Sequence, residues 1–177
     1  PPVAPQQSMT DESCFLSARE LARQYRDGSL SPVEVARAVL RHIDDINPSL
    51  NAIYVSDADG ALAAAHASEK RWRRGAPKGL LDGVPVTLKD SIRVAGMPTP
   101  NGTGALAGEA CEPRDSPVTA RLREDGAIVL GKTTMPDFGM IASGISSLHG
   151  VTRNPWNLAC NPGGSSSGAG AAVAAGF

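Results

Sequence analysis

The stretch NPGGSSSGAGAAVAAG, residues 161–176, decides how this chain is read. It sets three consecutive serines between glycines and then runs into alanines. Glycine and serine alone make flexible coil. Here they lead into an alanine-rich segment with little polar surface, and short alanine helices are marginal in water without burial. The pattern therefore predicts a packed helix beginning near Ser167 rather than a linker. A phosphate loop of the G-x-x-x-x-G-K-[ST] kind has its glycines at Gly163 and Gly168, but Ala169 stands where the lysine must be. A dinucleotide G-x-G-x-x-G fails because Val173 occupies its last position, although anion binding at the helix start stays physically open. A nucleophile elbow fits G-x-S-x-G centred on Ser166, yet it needs a strand before it and an acid and a histidine after it. LACNPGG is a poor strand, and no Asp, Glu or His follows Ser166.

A second stretch bears on the first. DGVPVTLKD, residues 82–90, is a short β-branched run bounded by glycine and acid, which reads as a buried strand end carrying one lysine. Val84, Val86 and Leu88 alternate before Lys89. An amine drawn out of water favours its uncharged form, which is a competent base, and Ser–Lys pairs are an established substitute for Ser–His. The plainer reading is that the Lys89 ammonium pairs with Asp82 or Asp90.

Working outward, Ser17 and Glu20 form a capping box for a helix over residues 17–27, with Gly28 as its stop. Ser31, Pro32 and Glu34 open a second helix over 32–46, with Val35, Val39, Ile43 and Ile46 on one face and Asn47-Pro48 as its end. A third runs from about Asp57 to Arg73 and closes at Gly75. Its basic end, Lys70, Arg71, Arg73 and Arg74, reads as a solvated cluster favoured by the helix dipole. Residues 116–135 read as helix, turn and strand: Ser116 caps, Pro117 opens, Gly126 stops, and AIVLGK is the strand. That unit resembles half of a parallel α/β layer. Residues 93–115 and 136–163 are loops, long enough to be functional.

Composition narrows the class. The chain has 177 residues, 41% hydrophobic and 20% charged, with a net charge of −1 and 3 separated cysteines. No basic stripe suits nucleic acid. Cys14, Cys111 and Cys160 form neither a disulfide framework nor a zinc pair, and His42, His66 and His149 show no ligand spacing, so no metal is expected and a reducing cytoplasm fits. No apolar run is long enough to span a membrane. Residues 1–16 are expected to be a disordered, tag-like terminus, with Met9 as a candidate natural start.

Taken together, DGVPVTLKD, RNPWNLACNPGGSSSGAGAAVAAG (153–176), DGAIVLGKTTMPDFGM (125–140) and HGVTRNPWN (149–157) resemble the amidase signature family from about Ser17 onward. The resemblance implies an α/β fold, a mixed central sheet flanked by helices, of which residues 17–177 are the N-terminal part of one domain. It implies serine hydrolases with a Ser–cis-Ser–Lys triad. Lys89 matches the base and Ser165 the relay serine, whose peptide bond to Gly164 is expected to be cis. Gly163, Gly164 and Ser166 match supporting positions. Met140 and Ser143, in the 140–147 loop, match positions lining the acyl pocket. Ser167 departs from the glycine of many relatives.

The family's nucleophilic serine lies beyond the relay serine, in a DIGGS-like turn that would fall past Phe177. The expectation is therefore a carboxamide hydrolase that is active when intact and inactive as these 177 residues. It would need no cofactor and would act on a small-molecule amide, with a homodimer left open. One branch, the glutaminase component of glutamine-dependent tRNA amidotransferases, reads S-S-T-E-N-S where this chain has SGISSLHG (143–150), which favours a free-standing amidase. A non-catalytic binding module is the alternative from another class.

Overall fold

The structure is a computed structural model that describes residues 12–177. Its helices start where serine side chains can take up free amides. Ser17 opens α1 (Ala18–Asp27), accepting from the Glu20 amide at 3.3 Å while Glu20 accepts from the Ser17 amide at 2.8 Å. Ser31 opens α2 (Pro32–Leu50) with the same reciprocal pair to Glu34. α3 spans Ala58–Arg73 behind an Asp57 cap, α4 spans Pro117–Glu124 behind Ser116, and α5 spans Ser167–Ala175.

Three strands form the central sheet: β1 (Ile53–Ser56), β2 (Pro85–Lys89) and β3 (Ile128–Thr133), in the order β1-β3-β2. β2 and β3 run parallel, with α4 in the connection between them, as the helix-turn-strand reading requires. β1 pairs antiparallel with β3, which makes the sheet mixed. A small hairpin, β4 (Ile145–Ser146) and β5 (Gly150–Val151), breaks the second long loop. The main core lies where Val35, Ala36, Val39 and Ile43 of α2 and Ala61 and Ala65 of α3 meet Ile128 and Leu130 of β3.

Three local expectations need correction, and one strand went unread. First, α2 does not stop at Asn47-Pro48 but continues to Leu50. Pro48 lacks an N–H, so it forfeits one helical bond close to the helix end. The exit is set instead by Asn51, left-handed at φ 52°, and by Asn47, whose side chain accepts from Ala52 and Ile53 and donates to the Ile53 carbonyl, each at 2.9 Å.

Second, Arg71 does not belong to a solvated cluster. It forms a two-pronged pair with the fully buried Asp82, at 2.8 and 2.6 Å. Burial by itself would raise the Asp82 carboxyl, but Arg71, the Lys78 amide and Ser68 outweigh it and hold it below the usual carboxylate range. Third, β1 was not expected, although Ile53, Tyr54 and Val55 are the β-branched and aromatic residues that strands favour.

Fourth, α5 is buried on one side only. Ala171, Ala172 and Ala175 pack on Leu50 and Ala52, while Val173 stays 74% exposed. The helix closes at Ala175, with Gly176 left-handed at φ 84°. The expected disordered terminus falls mostly on residues 1–11, which lie outside the described residues; Glu12–Phe15 form a single 3-10 turn.

Candidate active site

The serine–glycine stretch turns at the point where α5 begins. Asn161 holds the approach, its side-chain oxygen accepting from the Gly144 amide at 3.0 Å and the Gly163 amide at 2.9 Å. Gly164 passes so close to the next loop that a Cβ there would collide with the Ser143 carbonyl oxygen. The Gly164–Ser165 peptide is cis. Gly168 is equally constrained: a Cβ would run into the Ala52 oxygen and the Thr134 nitrogen. The absence of a side chain there lets the start of α5 rest on the ends of β1 and β3, where the Gly168 amide donates to the Thr134 carbonyl at 3.0 Å. The TRNPW segment returns the chain to the same corner, with the Arg153 amide on the Leu50 carbonyl at 2.7 Å and the Thr152 and Thr134 hydroxyls 2.6 Å apart.

This docking puts Ser165 opposite the end of β2. Lys89 Nζ donates to Ser165 Oγ at 2.7 Å across 76 residues of chain. The plainer partners are otherwise engaged. Asp82 is held by Arg71, and Asp90 accepts from the Tyr54 hydroxyl at 2.8 Å and the Gly102 amide at 2.5 Å. Lys89 itself is half-buried, not sealed from solvent, as are Ser165 and Ser143. Gly163 is left-handed at φ 81°. Ser166 is exposed and its hydroxyl does not cap α5, although its carbonyl accepts from the Gly170 amide at 3.0 Å. Met140 is 80% exposed, beside Gly139, where a Cβ would lie 3.6 Å from the Ser165 hydroxyl.

The fully buried lysine is Lys132, which sequence reasoning passed over. It is 0% exposed on β3, and its ammonium donates to the Pro98 carbonyl at 2.6 Å and the Thr99 hydroxyl at 2.8 Å. Desolvation pushes it down to about 8, against the opposing pull of Asp90 and Glu112. Burial would raise Asp90, but His149, Tyr54, Gly102 and Lys132 keep it below the ordinary range. The signal was present in the sequence: a lysine ending the apolar strand AIVLGK has to be buried with a partner. Among the described residues no group of His, Cys, Asp and Glu could hold a metal ion, and no helix is long and apolar enough to cross a membrane.

An α/β chain that brings a lysine amine onto a serine hydroxyl beside a glycine-rich turn defines a narrow class. The family model described as Amidase matches residues 34–177, and the chain belongs to this family, the amidase signature enzymes. It is 43% identical over 161 residues to an indoleacetamide hydrolase of Bradyrhizobium diazoefficiens, covering 91% of this chain and 30% of that protein. It is 45% identical over 159 residues to the A-type component of the glutamyl-tRNA(Gln) amidotransferase of Acidothermus cellulolyticus, covering 90% of this chain and 31% of that one. Among solved structures, the peptide amidase of Stenotrophomonas maltophilia superposes with a TM-score of 0.82 at 34% identity, over 96% of this chain and 34% of that chain. The chain thus spans about a third of the length of its relatives.

Proposed function

We propose that the full-length protein hydrolyses linear carboxamides, with Lys89 as base and Ser165 as relay, and that these 177 residues alone do not. The observation that carries the reading is the 2.7 Å contact between Lys89 Nζ and Ser165 Oγ. In the amine form of Lys89 the bond reverses, and the Ser165 hydroxyl donates its proton to nitrogen. Ser165 then takes a proton from a nucleophilic serine outside this chain, whose oxygen attacks the amide carbonyl. The relay runs backward to protonate the departing ammonia or amine, and water releases the acid from the acyl-enzyme. Each proton moves among the lysine, the two serines, the leaving amine and the hydrolytic water, so the proposed relay calls on no cofactor. Gly163, Gly164 and Ser166 shape the turn that presents Ser165. Met140 and Ser143 lie on the loop against it and would face the acyl group.

The test is Lys89→Ala in the full-length protein. Its nucleophile is probed with an alkyl fluorophosphonate, which forms an Oγ–P bond as fluoride leaves and so reports on serine activation without the substrate being known. Labelling should be lost while the melting temperature holds. Labelling at the normal rate would remove Lys89 from the chemistry.

The similarity to the amidotransferase component favours a second reading, in which ammonia released from glutamine passes to a partner protein. SGISSLHG at 143–150 lacks the acid and amide of that branch and weighs against it. Glutaminase activity together with a co-purifying partner would reverse the preference. A full-length protein inert to amides and to the fluorophosphonate would leave only the binding module.

A further inference from the structure

The Lys89–Ser165 contact leaves a second cluster without a role. Asp90, the residue after Lys89, is fully buried. Its Oδ2 accepts from the Gly102 amide at 2.5 Å and its Oδ1 from the Tyr54 hydroxyl at 2.8 Å. Lys132 Nζ lies 3.8 Å from Oδ1, and His149 Nε2 lies 3.6 Å from Oδ2. The His149 side chain is only 9% exposed, its Nε2 is buried without a hydrogen-bond partner, and its ring stacks on Tyr54 with centroids 4.2 Å apart.

These groups come from separate pieces of chain: β1, the end of β2, β3, the 98–102 loop and the 146–149 loop. The last two are also tied directly. Ser146 Oγ donates to the Gly102 carbonyl at 2.5 Å and accepts from the His149 amide at 2.9 Å. The chain leading into that loop, from 137 onward, walls in the relay serine, through Gly139 against Ser165 and Ser143 against Gly164. Asp90 follows directly on Lys89, the last residue of β2, and its carboxylate is taken by Tyr54 and Gly102 while the Lys89 amine is on Ser165. Asp90 therefore does not compete for the Lys89 proton and acts through the backbone. A carboxylate that accepts from Tyr54 and Gly102 and lies beside Lys132 and His149 is fully matched only when all four segments are in place, which is how buried polar networks select one arrangement.

We propose that Asp90, enclosed by Tyr54, Lys132 and His149, is the positioning residue that holds the Lys89 end of β2 and the 137–149 loop where the Lys89 amine meets Ser165. The inference rests on the roles proposed for those two residues.

The experiment uses the full-length protein and fluorophosphonate labelling well below each variant's melting temperature, separating the maximal labelling rate from the half-saturating probe concentration. Asp90→Asn keeps the shape and removes the charge. It should slow the maximal rate 10- to 100-fold and leave half-saturation within two-fold. Tyr54→Phe and His149→Phe should each slow it at least three-fold, and they decide the matter alone if Asp90→Asn does not fold. A role in stability only would lower the melting temperature and leave the rate untouched. Rates within three-fold of normal in Asp90→Asn, or failing that in both milder variants, overturn the proposal. Lys89→Ala run alongside separates the two claims: normal labelling there removes the underlying reading, whereas lost labelling there with normal labelling in Asp90→Asn overturns this inference alone.

Discussion

Lys89 and Lys132 sit one step apart on neighbouring parallel strands, since Leu88 is the register partner of Lys132 and Lys89 that of Thr133. The strand repeat sends them to opposite faces, and their surroundings then diverge. Lys132 enters a closed layer with Asp90, Pro98 and Thr99, is wholly buried, and has its charge disfavoured. Lys89 reaches a half-open corner, where it meets the hydroxyl of Ser165. The same side chain serves as an internal tie in one place and as an accessible amine in the other. On the proposed roles, depth of burial does not pick out the lysine that acts as base; the identity of its partner does.

That contrast breaks if the two lysines can be exchanged in effect. The largest expected effect is on turnover. Lys89→Ala in the full-length protein should lower kcat/KM for amide hydrolysis by about 10⁴-fold or more, as for other members of catalytic units, with little change in Tm. A comparable loss of activity without unfolding in Lys132→Met would erase the distinction between them.

The next effect is on stability. Lys132→Met keeps much of the volume but leaves Asp90 without its cation, which should cost about 3–5 kcal/mol of unfolding free energy by urea titration at pH 7. Asp90→Asn combined with Lys132→Met should lose less than the sum of the two single changes.

A smaller effect reads out the lysine's own titration. The folded value for Lys132 is about 8, below the ordinary 10.5, so between those values the unfolded chain binds more protons. Stability should therefore rise with pH from about 8 to 10, by at most about 1.4 kcal/mol per pH unit. That slope should flatten in Lys132→Met. Above pH 10 the buried Tyr25 and the half-buried Tyr54 oppose it, because desolvation raises both and their unfolded forms ionise first.

The smallest effect provides the baseline for an ordinary local interaction. Ser31→Ala removes a cap remote from both lysines and should cost about 1 kcal/mol with amide hydrolysis unchanged, checked by Tm and turnover together.

Much of this molecule could be read from short-range pattern. Capping serines at 17, 31 and 116, the apolar face of α2 and the helix-turn-strand over 116–135 are local signals, since each depends on contacts a few residues apart. The likeness of two separated stretches to one family was equally legible, and with it the expectation that Lys89 and Ser165 belong together. The sequence left open whether Lys89 would meet Asp82, Asp90 or Ser165, because nothing in residues 82–90 says what lies opposite the strand.

Tertiary structure decided that question by occupying the alternatives. Arg71 comes from α3 to take Asp82, and Tyr54 from β1 and Gly102 from a loop take Asp90. Then the close approach of Gly168 to Ala52 and Thr134 sets α5 down so that Ser165 stands over the Lys89 amine. The run of α2 past Pro48 is by contrast local, made by Asn47 with Ala52 and Ile53 and by the left-handed Asn51. Local propensity acts along the chain and is written in residue order; the pairing of buried charges depends on which segments arrive at the same place, and only packing determines that.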